Sequence, residues 1–234
     1  MIKISGITLE DYHKLNIKSF HKCMIGINAS SIDSHERFRQ MLMKANKTGA
    51  RVGISFGEKN ISNADGVFKY ADIYLPDFIE IPMHGIPFTP PSEFVRRGKH
   101  IKHMIFTDFI IAPDMDPSWV LINIEKYCGL PNACFECNLM IGDVEDGWDY
   151  LKNEAPKFPD ETQIEDLQIN FEKHNRRIFL AVNKINKERI NEILHAFPSL
   201  GGISIYKTLP GIKEDILTLH EIEQGIKIYQ TVNC

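Results

Sequence analysis

Lys3-Ile4-Ser5-Gly6-Ile7-Thr8 opens the chain as a short apolar run that meets a small hydroxyl residue, a glycine and a threonine. Leu9-Glu10-Asp11 follows. Thr8 suits a helix N-cap, and acidic residues in the first turn complement the helix dipole. A strand that ends on a polar side chain before a glycine turn is how α/β proteins present chemistry at a strand's carboxyl end. The segment therefore predicts a strand over Ile2–Ser5, a turn at Gly6 and a helix over Leu9–Phe20. Ser5 is then either a site residue or a small turn residue.

Outward from this unit the pattern repeats. Further runs rich in Ile, Val and Phe, bounded by Gly, Pro, Asn or Asp, predict strands over Cys23–Asn28, Arg51–Phe56, Phe78–Pro82, His103–Ile111, Ala133–Met140, Arg177–Val182 and Gly202–Lys207. Helical patterns lie between them: Ser34–Lys47, with Ser34 as N-cap and Gly49 as stop signal, then Asn63–Tyr70, Ser92–Lys102 and Pro117–Tyr127. They continue with 161–174, Lys187–Phe197 and Lys213–Ile228. Eight strands alternating with eight helices predict a single (β/α)8 TIM barrel spanning 1–234, with a longer loop-plus-helix segment at about 142–176. The competing doubly wound sheet would carry a Gly-rich first turn, and here that turn has Gly6 alone.

Composition narrows the function. The 234 residues are 43% hydrophobic and 25% charged, ordinary for a globular protein. A formal charge of −4 gives no electrostatic case for nucleic acid or an anionic membrane surface. No apolar run approaches the roughly 18–20 residues that span a bilayer, and no signal-peptide pattern is visible at the N-terminus. Five cysteines, an odd number, fit a reducing compartment, so a cytoplasmic location is expected. Cys134 and Cys137 have C-x-x-C spacing but fall on opposite faces of an extended segment, and no second ligand pair accompanies them. No metal and no cofactor are expected.

With the units laid out, the chain resembles the phosphoribosylanthranilate isomerase family. Lys3-Ile4-Ser5-Gly6-Ile7-Thr8 with Leu9-Glu10-Asp11 is similar to that family's K-I-C-G-I-T and L-E-D. Arg51-Val52-Gly53-Ile54-Ser55-Phe56 is similar to its R-V-G-V-F, and Ile81-Pro82-Met83-His84-Gly85 to its Q-L-H-G. The resemblance implies an isomerase of the Amadori type in tryptophan biosynthesis, acting on an aminated or phosphorylated sugar. The family's general base is a cysteine where this chain has Ser5, and a serine hydroxyl is a far poorer base than a thiolate. Its general acid is an aspartate at the end of strand six, where the nearest carboxylate is Glu136. Strand alternation puts Glu136 on one face with Cys134 and Asn138. The bland alternative pairs Glu136 with a barrel lysine such as Lys3 or Lys207.

The family holds phosphate on glycine-rich turns after strands seven and eight. Here those strands end Val182-Asn183-Lys184 and Tyr206-Lys207-Thr208, so Lys184 and Lys207 are the candidate point charges for an anion. The candidate catalytic residues are thus Ser5 and Glu136. The candidate substrate-binding residues are Lys3, Asn28, His84, Asp108, Asn183, Lys184 and Lys207. The expected partner is a small anionic substrate, with no nucleic acid and no membrane. Two other readings stay open: a catalytically diverged barrel that binds a ligand or a protein, and an aldolase-like enzyme using Lys184 or Lys207 as a Schiff base. The basic run Arg96-Arg97-Gly98-Lys99-His100 reads as a solvated helix face.

Overall fold

The computed structural model describes residues 2–14, 23–56, 64–82, 91–99, 104–110, 122, 124–130, 133–138, 169, 172–173, 177–182, 191, 193–195 and 197–206. Among them eight strands form a closed parallel barrel in sequence order: β1 Ile2–Ile7, β2 Met24–Asn28, β3 Arg51–Ser55, β4 Phe78–Pro82, β5 Met104–Ile110, β6 Ala133–Asn138, β7 Ile178–Val182 and β8 Gly202–Tyr206. β8 closes the ring on β1, with Lys3 opposite Ser204 and Ser5 opposite Tyr206. The described helices are α1 Leu9–Lys14, α2 His35–Lys47, α3 Ala64–Tyr74 and α4 Pro91–Gly98. The fold is an α/β barrel with helices outside, as the alternation predicts. Most of the 142–176 segment, and the final helix expected over Lys213–Ile228, lie outside the described residues.

Strand faces divide the core into two parts. Ile4, Ile25, Ile27, Val52, Ile54, Ile79, Ile81 and Ile105 share one buried cluster with Phe38, Met41 and Ala45 of α2, Val67, Phe68 and Ala71 of α3, and Phe94 of α4. That face meets the helices. Met24, Phe78, Cys134 and Phe179 form a separate cluster on the opposite face, inside the barrel. Alternation along a strand requires this split, and burial on both faces explains why the strands read as near-continuous apolar runs.

Gly53 belongs to the interior packing. It sits opposite Phe78 in the β3–β4 register, and a Cβ there would lie 2.4 Å from the Phe78 ring. The missing side chain is the space the ring occupies.

The largest departure from expectation is at the opening motif. β1 does not stop at Ser5; it continues to Ile7. Ile4 pairs with Ile25 and Ile7 with Ile27, so Ser5 and Gly6 together stand against Gly26. This is a β-bulge, and Gly6 takes the left-handed conformation with φ +76°. In a regular strand residues 4 and 7 would face opposite ways. The extra residue lets Ile4 and Ile7, 1% and 2% exposed, both enter the helix-side core. Gly6 is therefore a bulge residue rather than a turn residue.

Helix limits follow from caps and apolar faces. Ser34 caps α2 by accepting from the Arg37 amide at 3.3 Å. The helix ends in a Schellman arrangement: the Ala50 amide donates to the Ala45 carbonyl and the Gly49 amide to that of Asn46, with Gly49 at φ +78°. α3 runs one turn beyond the expected Tyr70, because Tyr74 packs on the core and extends the face of Val67, Phe68 and Ala71. α4 begins at Pro91 rather than Ser92, using the proline at its first position, and ends at Gly98.

Candidate functional site

In barrels of this kind chemistry sits at the strands' carboxyl ends, above a packed interior. The floor here is apolar: Met24, Phe78, Cys134 and Phe179 are all at most 9% exposed. Phe179 stands opposite Gly202, which has no side chain to compete for that space. Burial pushes the Cys134 thiol up to about 11, against the opposing pull of Arg177, Arg51 and Lys3. Such a thiol is neutral at physiological pH, so the C-x-x-C spacing contributes no reactive thiolate at Cys134.

The buried polar residues among those described are Lys3, Ser55, Glu80 and Ser204. The Lys3 ammonium lies 2.9 Å from Glu80 Oε1, with both side chains essentially without exposure. The Ser55 hydroxyl donates to Glu80 Oε2 at 2.6 Å. Both carboxylate oxygens are thus held, by groups from β1 and β3, while Glu80 itself comes from β4. Ser204 is the β8 register partner of Lys3. An ion pair and two hydroxyls replace the branched aliphatic side chains that usually fill such a layer.

The network adds to the expectations drawn from sequence. Sequence makes Lys3 a substrate contact, and the structure gives it a carboxylate partner. In the sequence, Glu80 and Ser55 are polar residues near the ends of apolar strands, and neither is a candidate site residue. Their one sequence signal is polarity at inward positions of apolar strands, and nothing in the sequence pairs Glu80 with Lys3. Lys3, one of the barrel lysines named as possible partners of Glu136, is bonded to Glu80.

The remaining candidates divide by position. Ser5 lies in the β1 bulge, two residues beyond Lys3 and opposite Tyr206. Glu136 stands on β6 opposite Asp108 of β5 on one side and Phe179 of β7 on the other. It is two residues beyond Cys134, so Asp108 and Glu136 occupy positions on the strand face that carries the interior cluster.

Asn28 ends β2 and starts a 3-10 turn over Ala29–Ser31. Its Oδ1 accepts from the Ser30 amide at 3.1 Å and the Ser30 hydroxyl at 2.8 Å. Ser31 Oγ donates to the Asn28 carbonyl and accepts from the Leu9 amide at 3.0 Å. The loop after β2 is thereby tied to the helix start after β1, and Asn28 already serves local structure. His84, Asn183, Lys184 and Lys207 lie outside the described residues.

On α4, Arg96 and Arg97 both donate to Glu93, holding its carboxyl down near 2, so half of the basic run is answered within its own helix. No helix among the described residues is long and apolar enough to cross a membrane.

No protein-family model matches the chain, and no curated protein sequence matches it. Solved structures do match, over nearly its full length. Phosphoribosylanthranilate isomerase from Thermotoga maritima, crystallised as a monomer of the dimeric enzyme, has 13% identity and a TM-score of 0.58, covering 97% of this chain and 97% of its own. A truncated 3-deoxy-D-arabino-heptulosonate 7-phosphate synthase from the same organism has 13% identity and a TM-score of 0.58, covering 99% and 87%. KGPDC from Streptococcus mutans has 10% identity and a TM-score of 0.58, covering 97% and 96%. The likeness establishes the TIM-barrel fold. Proteins of several different activities share it at this level, so the fold by itself selects no reaction.

Proposed function

We propose that the protein is a barrel enzyme of the isomerase kind, acting on an aminated or phosphorylated sugar at the carboxyl ends of its strands. The observation that carries the reading is the β1 bulge. Ser5, within the stretch most similar to the isomerase family, lies in it, two residues further along β1 than Lys3. Bulges recur next to active sites because they re-aim one side chain without breaking the sheet.

In this reading Glu136 is the acid/base. An Amadori isomerisation needs a proton delivered to the sugar ring oxygen as its bond to C1 breaks, and one removed from C2 to give the enolamine, whose hydroxyl proton is then exchanged for one on C1 as the ketone forms. A protonated carboxyl can do the first. Ser5 positions substrate or a water molecule, since its hydroxyl is too weak a base for the second step. Lys184 and Lys207, which follow β7 and β8, meet the anionic group. Asn28, His84, Asp108 and Asn183 are further rim contacts, and Lys3 acts from beneath. In this reading residues 1–234 act as one barrel unit in the cytoplasm.

Complementation of a strain lacking phosphoribosylanthranilate isomerase, beside a steady-state assay with phosphoribosylanthranilate, tests this directly. Growth and turnover are expected, and Glu136→Gln should lower kcat by about 10²–10⁴. An absence of both growth and turnover would sink the reaction. That result would favour the second reading, a diverged barrel that binds a ligand or protein. The feature on its side is the absence of the family's thiol and of its phosphate-binding glycines.

A further inference from the structure

The Lys3–Glu80–Ser55 network is a costly way to fill a barrel. Replacing a buried ion pair by apolar residues of similar size is often neutral or stabilising, whereas removing one partner alone is strongly destabilising. Where such a pair persists, its best-attested role is to specify one arrangement among several. β1 is where this barrel needs specifying. Backbone pairing fixes no register by itself; side chains do, and a one-residue slip reverses every face. β1 pairs regularly with β8 from Ile2 to Ser5 but irregularly with β2, where the bulge opposes Ser5 and Gly6 to Gly26. Sliding Ile2–Ser5 by one residue relative to Ile7 would remove the bulge.

We propose that Glu80 is a positioning residue: by holding Lys3 across the barrel it locks the register of β1, and so keeps the bulge, and Ser5 with it, at one level of the mouth. In the slipped arrangement Lys3 would fall on the face of Ile4, among the apolar residues that meet the helices, and Glu80 would lose its buried cation. The lock thus acts through the penalty on the alternative. Ser55 completes it. Its 2.6 Å hydrogen bond holds the second oxygen of Glu80, so the carboxylate is directed at Lys3. The β2–β3 register, Asn28 opposite Ser55, carries the fixed level on to the strand that faces the bulge. The functional meaning of the lock rests on reading Ser5 as a site residue; the lock itself does not.

The test is amide NMR with hydrogen exchange on the double variant Lys3→Met/Glu80→Leu and on Glu80→Gln, in the full chain and without ligand. The double variant removes both charges of the pair. It should show a second set of signals for residues 3–8, or exchange at Ile4 and Ile7 about tenfold faster than in the parent. Ile79 and Ile105 should stay within about twofold. Glu80→Gln retains the hydrogen-bonding shape and should disturb the same β1 amides more weakly. A single parent-like set for residues 3–8 in the double variant, with parent-like exchange at Ile4 and Ile7, would overturn the proposal. So would a Glu80→Gln effect confined to β3 and β4, and that result decides the matter if the double variant does not fold. Because no substrate is used, failure of the isomerase reaction and failure of the lock are read separately.

Discussion

At the scale of single residues, two glycines in family-like motifs are constrained for different reasons. A Cβ at Gly6 would meet nothing within 4 Å, so the constraint is its φ of +76° alone. Gly6→Ala is expected to cost about 1–2 kcal/mol, the usual penalty for a left-handed non-glycine residue. Gly53 has no such conformation, but its place is taken by Phe78. Gly53→Ala should cost about 1–3 kcal/mol by overpacking. Urea denaturation of both, with Phe78→Leu added to each, separates the causes. Phe78→Leu should recover part of the loss at Gly53 and none at Gly6. Cys134 gives a second check at this scale. With its thiol held near 11 by burial, it should resist iodoacetamide at pH 8 in the folded protein and react once unfolded. Peptide mass mapping reads the difference, and rapid native alkylation of Cys134 would contradict the interior cluster.

Among the elements, the strands are legible in the sequence because burial on both faces leaves them rich in Ile, Val and Phe between turn residues. α2 is legible at both ends, since Ser34 and Gly49 have strong local chemistry. The bulge is not, because a glycine after a polar residue is the usual mark of a turn. The available signal is Ile4 and Ile7, three apart, which a regular strand would place on opposite faces. The Lys3–Glu80 pair is hidden for another reason: it joins strands distant in sequence, and a single sequence carries no such contact.

α4 supports a pH prediction at the same scale. Glu93, with an ordinary value of 4.5, is held near 2 by hydrogen bonds from Arg96 and Arg97. Its folded value is depressed, so its contribution is present above the unfolded value and is lost as pH falls through about 2. An NMR titration of the Glu93 carboxyl should show a midpoint near 2, moving toward 4.5 in Arg96→Ala/Arg97→Ala. An unshifted midpoint in the parent would mean the two arginines are not held on Glu93 in solution. The effect on overall stability will be small, because the three side chains are exposed to solvent screening.

For the whole molecule, the alternation of units is enough to read a closed barrel, and the fold of solved proteins with different activities agrees with it. The site is less legible. Ser5 draws attention because it departs from a family pattern, and Glu136 because an acid in an apolar strand needs a reason. Ser55 lies within the stretch Arg51–Phe56 and Glu80 directly before Ile81, yet nothing in either stretch links the two side chains. Function in such folds lives in the rim, where residues from distant strands converge.

The central claim is an anionic sugar site at the carboxyl ends of the strands. A crystal structure of the protein with ribose 5-phosphate tests it most directly. The sugar is predicted between Ser5 and Glu136, with its phosphate at the ends of β7 and β8 near Lys184 and Lys207. A mouth left empty at saturating ligand, or a sugar phosphate bound at the amino-terminal face instead, would contradict it.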